Sequence, residues 1–310
     1  MILEKYQQLL NSTHLFRDGF MSLSLDDESI FRLAIDNELN PTILISEKKF
    51  KSRGWTKTNF RLDKLQLSFN VTCDIRDINS GIELNAPFTI IKQVNGNSRM
   101  HEYFLRVCDG IITELRRDLS SDKLNKEIEY LVKLFSSPKK SDEKSIQGLW
   151  GELLYILNSE DIEKVITAWY IDRDNLFDFS FEDHSVEVKT TIKNSRTHTF
   201  NNSQLIKYKK LNVQVVSIIT ERVSLGKSVL DLWDEINARP ISTGSYSKVS
   251  RIISETLVQD LDGLDRYKYN YNLAVSTLRK IPSGEIPNIE TENIPSGIIE
   301  VHIQINLDAI

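Results

Sequence analysis

Two short runs carry the residue types and spacing best suited to chemistry. In Phe177-Asp178-Phe179-Ser180-Phe181, aromatics alternate with Asp178 and Ser180; in Val186-Glu187-Val188-Lys189-Thr190, valines alternate with Glu187 and Lys189. Successive side chains of a strand point to opposite faces, so each run sorts its apolar residues from its charged ones. The turn between the runs decides whether the two polar faces coincide. A loop of two or four residues around Asp183-His184 places Asp178 opposite Lys189 and Ser180 opposite Glu187. The two acids are then diagonal neighbours, roughly 7–8 Å apart at the backbone. A hard cation with oxygen ligands at about 2.1 Å spans that gap. A three-residue loop puts the acids on opposite faces and removes the site. Charges alternating with valines also describe an ordinary solvated strand face, so the pattern alone leaves both readings open.

Three features surround this hairpin. Glu152 lies in Gly148-Leu149-Trp150-Gly151-Glu152 on a preceding helical segment, where two glycines allow close approach of helix to sheet. Gln204 and Tyr208 stand at i and i+4 in a following helical segment and so share a face. Lys189–Thr220 holds six Lys/Arg (Lys189, Lys193, Arg196, Lys207, Lys209, Lys210) and no Asp or Glu, whereas Asn158–Glu187 holds nine acids against two bases. A basic strip therefore follows a cluster of carboxylates. His198 lies in that strip, as a phosphate contact or as a hydrogen-bonded histidine.

These groups need a scaffold, and the chain is patterned to supply one. Residues 1–100 are strand-like after a short helical start, with apolar runs at Ile30–Ile35, Thr42–Ile45 and Leu67–Ile75 and turn-forming groups between later runs. They predict a β-rich N-terminal domain for target or partner recognition. From His101 the period lengthens: Phe104, Cys108, Ile111, Ile112, Leu115 and Leu119, then Leu124, Ile128, Leu131 and Phe135, mark two helices that form a connector over 101–140. Cys108 on the apolar face is a core residue. Ser136–Ser145 has the composition of a linker. Over 141–240 the order is a helix at Ile146–Leu157, strands at Val165–Tyr170, Phe177–Phe181 and Val186–Ile192, a helix near Ser203, a strand at Val213–Thr220 and a helix at Val229–Ala238. That order predicts a mixed sheet with helices packed on it. Residues 241–310 form an extension with a helix near Val249–Leu257, two Ile-Pro-Ser-Gly turns, and a half-buried strand in which Ile299, Val301, Ile303, Ile305 and Leu307 alternate with polar residues.

Asp178, eight residues, then Glu187-Val188-Lys189 resembles the signature of the PD-(D/E)XK nucleases. Glu152 and the Gln204-xxx-Tyr208 pair resemble the flanking helix motifs of the RecB-like branch. The wider string GLWGELLYIL … DFSF … VEVKTT … RTHTF … SQL resembles the PD-(D/E)XK family associated with bacterial restriction-type and phage-defence gene clusters. The resemblance covers about Ile146–Ala238, with weaker similarity around Asn272–Pro282; Phe177 stands where the signature has proline. It implies an α/β (α+β) fold with a restriction-endonuclease-like core, a central mixed β-sheet flanked by helices. It also implies a Mg²⁺-dependent DNA endonuclease, with Mn²⁺ as a substitute ion. Asp178 and Glu187 would be metal ligands, with the backbone carbonyl of Val188 a third. Lys189 would orient or deprotonate the attacking water or neutralise phosphate charge, and Glu152 would support the site or help hold a second ion. Gln204 and Tyr208 would contact the DNA backbone or position the lysine, and Lys193, Arg196, His198 and Lys207 would line the nucleic acid. DNA is the implied partner, with other subunits of a restriction or defence system and a homodimer as further partners. A member of the same fold that has lost catalysis and binds DNA or protein within a defence complex is the alternative.

Composition narrows the classes. The 310 residues carry 39 Lys+Arg against 44 Asp+Glu, a net charge of −5, which excludes a generic DNA-coating protein. The local basic strip keeps a nuclease open, with weak, salt-sensitive and metal-dependent DNA binding. Two cysteines exclude a disulfide scaffold and a four-cysteine zinc site. The absence of a long apolar run predicts a cytoplasmic protein with no membrane partner. Leu225-Gly226-Lys227-Ser228 lacks the first glycine of a phosphate-binding loop, since Glu221 stands five residues before Gly226. Of the four tryptophans, Trp150, Trp169 and Trp233 suit a core, and only Trp55, in Arg53-Gly54-Trp55-Thr56-Lys57, has basic neighbours.

Overall fold

The computed structural model describes residues 2–12, 19–46, 59–136, 143–170, 177–257 and 267–310. They fall into two units, Met1–Lys140 and Ser141–Ile310. The Trp55 segment, His14 and most of the Ser136–Ser145 stretch lie outside the described residues.

In the first unit, helix α1 (Ile2–Leu10) buries Ile2, Tyr6 and Leu9. Strands β1 (Phe20–Ser24), β2 (Phe31–Ile35), β3 (Pro41–Ser46), β4 (Phe60–Arg61), β5 (Leu65–Asp77) and β6 (Glu83–Gln93) follow. They pair in the order β1-β2-β3-β6-β5, and β5 returns to β1 in parallel register, Phe20 level with Ile75. The sheet therefore closes into a five-stranded barrel, which removes its edges. A bulge between Ser68 and Val71, with Asn70 at φ 50°, bends the long β5 so that one end pairs with β4 and the other with β1. Ala34, Leu44, Ile75, Ala86, Phe88 and Ile90 form one packed cluster. Arg32 is buried against Asp77 at 2.8 Å and donates to Ser22. Strands β2 and β3 are buried on nearly every residue because α1 and α2 (Ser98–Arg117) cover their other face. Asn97 caps α2 by accepting from the Met100 N–H. Helices α2 and α3 (Ser121–Ser136), expected as a connector, are part of this unit. Cys108 is buried and burial pushes its thiol pKa up, as suits a core residue.

The second unit begins with α4 (Glu143–Leu157) and α5 (Ile162–Ala168). The strand expected over Val165–Tyr170 is thus mostly helix. Asp161 caps it by accepting from the Lys164 N–H, and packing on α4 and α8 outweighs the β-branched content of Val165, Ile166 and Thr167. Then come β7 (Phe179–Ser180), β8 (Ser185–Thr191), β9 (Thr197–Asn201), α6 (Asn202–Lys210), β10 (Val213–Ile219), β11 (Arg222–Lys227), α7 (Val229–Asn237), α8 (Thr243–Leu257), α9 (Tyr271–Thr277), β12 (Arg279–Pro282) and β13 (His302–Asn306). A mixed sheet runs β12-β10-β8-β7, with β8 and β10 parallel and both outer pairings antiparallel. Strand β9 leaves that sheet to pair with β13, so the alternating C-terminal run finds its partner 100 residues back. The first Ile-Pro-Ser-Gly ends β12 in a 3-10 turn, and the second is a turn with Gly297 at φ 94°. Among the described residues no helix is long and apolar enough to cross a membrane.

Helix α4 lies close on β8 at Gly151. A Cβ placed there would stand 1.8 Å from the Thr190 Oγ1 and 3.1 Å from its Cβ, whereas one on Gly148 meets nothing within 4 Å. Only the second of the two glycines is needed for the close approach. Gly151→Ala is expected to destabilise the chain by about 1–3 kcal/mol, read as a fall in the urea midpoint, because the helix must move off the strand. Gly148→Ala is expected to be neutral or slightly stabilising, since it adds helix propensity without a clash.

Candidate active site

The β7–β8 hairpin sets the site. Its loop is four residues, Phe181–His184, closed by the Phe181 N–H to the His184 carbonyl at 2.8 Å and by stacking of those two rings at 4.6 Å. Ser180 is level with Ser185 and Phe179 with Val186. Continuing that register brings Asp178 level with Glu187, two residues along β8 from the expected match to Lys189. The even loop keeps both acids on one side, which is the property the chemistry requires.

Two anchors hold Asp178. The Tyr170 N–H donates to its carbonyl at 3.0 Å, the bond that flanks the Trp169–Phe179 bridge, and its Oδ2 accepts from the Val188 N–H at 2.7 Å. In a strand the N–H and C=O of one residue face the same edge. Ser185 and Thr191 use the β10 edge, through the Asn212 carbonyl and the Thr220 N–H, so the even-numbered residues of β8 face the other way. There the Thr190 carbonyl accepts from the Gln147 Nε2 at 2.6 Å. The Val188 carbonyl therefore faces the edge at which Asp178 sits.

Glu187 is 6% exposed. Its Oε1 lies 2.6 Å from the Lys189 Nζ, and the fully buried Tyr208 hydroxyl donates to its carboxylate. Glu152, from α4, accepts from the Trp169 Nε1 at 2.7 Å. The electrostatics follow. Burial, then the charges of Glu187 and Glu152, raise the Asp178 pKa well above the ordinary carboxylate range; the Val188 N–H and Lys189 only partly oppose this. Burial alone would lower the Lys189 pKa, but Glu187, Asp178 and Glu152 outweigh it and hold it above the usual lysine value. Lys189 is thus a fixed positive charge at neutral pH, with its Nζ 5.6 Å from the centre of the Phe200 ring. Burial and the same two acids push the Tyr208 pKa up, so it remains a donor.

The structure brings Asp178, Glu187, Lys189, Glu152 and Tyr208 together. Gln204, half-buried one turn before Tyr208, makes no hydrogen bond to them among the described residues. Lys193 and Lys207 are exposed, as a nucleic-acid contact requires. Arg196, just before β9, and His198, within it, require correction, because both are buried and engaged by the fold. Arg196 donates to the Ser217 carbonyl and Oγ and to the Thr277 carbonyl, and its Nε lies 3.3 Å from Asp308. His198 is 5% exposed, with its Nε2 2.7 Å from the Ser217 Oγ. The Ser217 hydroxyl, which accepts from Arg196, still has its proton to offer a neutral His198. Burial and the positive charges of Lys189 and Arg196 depress its pKa to about 4.

A neutral buried histidine makes stability depend on pH with a definite sign. The unfolded chain binds the proton near pH 6.5 and the folded chain only near 4, so stability is full above 6.5 and declines as pH falls toward 4. The loss amounts to about 3 kcal/mol for a shift of this size. Comparing unfolding midpoints at pH 7 and 4.5, His198→Gln is expected to reduce this acid sensitivity, and an unchanged pH profile would contradict it.

Among the described residues no three His, Cys, Asp or Glu side chains form a metal-ligating cluster. Over residues 2–308 the chain matches the family model described as "Putative PD-(D/E)XK family member, (DUF4420)". The chain belongs to this family. Searches of curated proteins and of solved structures found no match. The family match runs through both units, so the barrel unit, which carries no recognisable catalytic spacing, is as much part of this PD-(D/E)XK family as the hairpin. One contact escaped the sequence: Trp169 suits a core by composition, and only the structure shows its Nε1 2.7 Å from Glu152.

Proposed function

We propose that the chain is a divalent-metal-dependent endonuclease that hydrolyses phosphodiester bonds in DNA, as a component of bacterial restriction or phage defence. The carrying observation is the placement of two acids, Asp178 and Glu187, on one side of the β7–β8 hairpin beside Lys189, with Glu152 close enough for its charge to act on them. Burial, together with the charges of Glu187 and Glu152 set against the one ammonium of Lys189, is why Asp178 resists ionisation. Carboxylates with a strand carbonyl are a hard oxygen donor set that suits Mg²⁺ or Mn²⁺, ions that need only one or two carboxylates and complete their shell with water and phosphate. Asp178, Glu187 and the Val188 carbonyl would hold the ion. When bound, it supplies Lewis-acid stabilisation and acidifies its water.

The chain's own residues do the rest. Lys189, held protonated, orients the attacking water or offsets charge on the phosphate; the pKa direction favours these roles over that of general base. Tyr208 fixes Glu187, and Glu152 supports the acids. Gln204, Lys193 and Lys207 contact the DNA backbone. Breaking both strands takes two such sites, which a two-fold homodimer provides.

Supercoiled plasmid incubated with the purified chain is expected to be nicked or linearised with Mg²⁺ or Mn²⁺ and left intact with EDTA. A second reading, a binding subunit without catalysis, draws on the engagement of Glu187 by both Lys189 and Tyr208. Retention of DNA with no cleavage under any metal would select it.

A further inference from the structure

We infer that Trp169 is a positioning residue of the site: it holds the Glu152 carboxylate in place, while the peptide after it holds Asp178. This rests on the metal-site reading above and deepens it. The segment that leaves α5 runs along the outer edge of β7 for two residues, joined to it by one backbone bridge. Trp169 forms a single antiparallel bridge with Phe179, and its indole lies nearly parallel to that phenyl ring, at 6.2 Å and 15°. Tyr170 donates its N–H to the Asp178 carbonyl at 3.0 Å. From the same two residues the Trp169 Nε1–H reaches back to the Glu152 Oε2 at 2.7 Å. Two acids from elements far apart in sequence are thus gauged against each other by one dipeptide.

The chemistry of the contact supports positioning over simple packing. Trp169 is 1% exposed, so its one polar atom must find a partner inside the protein. That partner is a carboxyl oxygen, at the short distance of 2.7 Å. An indole N–H only donates, so the bond fixes the direction in which the Glu152 Oε2 is presented. Outer partners of this kind typically govern metal affinity by 10–100-fold when removed.

The test measures Mn²⁺ binding by electron paramagnetic resonance on the full chain, without DNA. Trp169→Phe and Glu152→Gln are each expected to weaken binding about 10–100-fold. The double variant is expected to be no weaker than the weaker single one, because Trp169 acts through Glu152. Losses that simply add would show that Trp169 acts only through packing and would overturn the inference. Should Trp169→Phe fail to fold, 3-benzothienylalanine at position 169 keeps the ring shape and removes the donor; undiminished Mn²⁺ binding in that variant overturns the inference too. Absence of Mn²⁺ binding in the unmodified chain would instead sink the metal-site reading on which it rests.

Discussion

Glu187→Gln and Lys189→Met are each expected to lower Mg²⁺-dependent plasmid cleavage by at least about 10²–10³-fold, the scale lost when one preorganised charge is removed from a reacting centre. The two variants should part company in stability. Gln at 187 still accepts from the Tyr208 hydroxyl, and Lys189 retains the fields of Asp178 and Glu152, so unfolding temperature should change little. Lys189→Met leaves Glu187, at 6% exposure, without its 2.6 Å partner. A fully buried pair broken in this way costs about 3–5 kcal/mol; the Lys189 side chain is 26% exposed, so we expect about 2. For a unit of this size that is a fall of ~4–8 °C. Full cleavage by both variants, measured under the same metal concentration, would remove these residues from the mechanism.

Asp178→Asn should separate activity from stability in the opposite sense. Burial and two neighbouring acids hold the Asp178 pKa well above the ordinary carboxylate range, so ionising it in the metal-free fold costs free energy. The carboxamide keeps an acceptor for the Val188 N–H and drops the charge. Cleavage should disappear while the metal-free chain gains about 0.5–2 kcal/mol of stability at pH 7–8, the usual trade at a functional site. A lowered melting temperature in metal-free buffer would contradict the charge balance.

Much of the site was legible from local pattern, and what was not depended on distant chain. Period-two alternation in 177–190 put both acids on one side of a hairpin because side-chain direction in a strand is a property of the backbone. The register differs by two residues because it depends on where the loop closes, and closure came from the Phe181–His184 stack and hydrogen bond. Arg196 and His198 looked available for phosphate because their partners, Ser217, Thr277 and Asp308, lie about 20 to more than 100 residues onward. No spacing rule reports such contacts. Barrel closure was hidden for the same reason: the parallel β1–β5 pairing joins segments some 55 residues apart. Helix α5 was hidden differently, since β-branched residues signalled strand while a cap and tertiary packing decided for helix.

The most direct test of the central claim, that Asp178 and Glu187 hold a divalent cation beside Lys189, is a crystal structure of the full chain soaked in Mn²⁺, read by anomalous scattering. The account predicts an anomalous peak bounded by the Asp178 and Glu187 carboxylates and the Val188 carbonyl. A peak elsewhere, or none at saturating Mn²⁺ with the Glu187–Lys189 pair still closed, would contradict it.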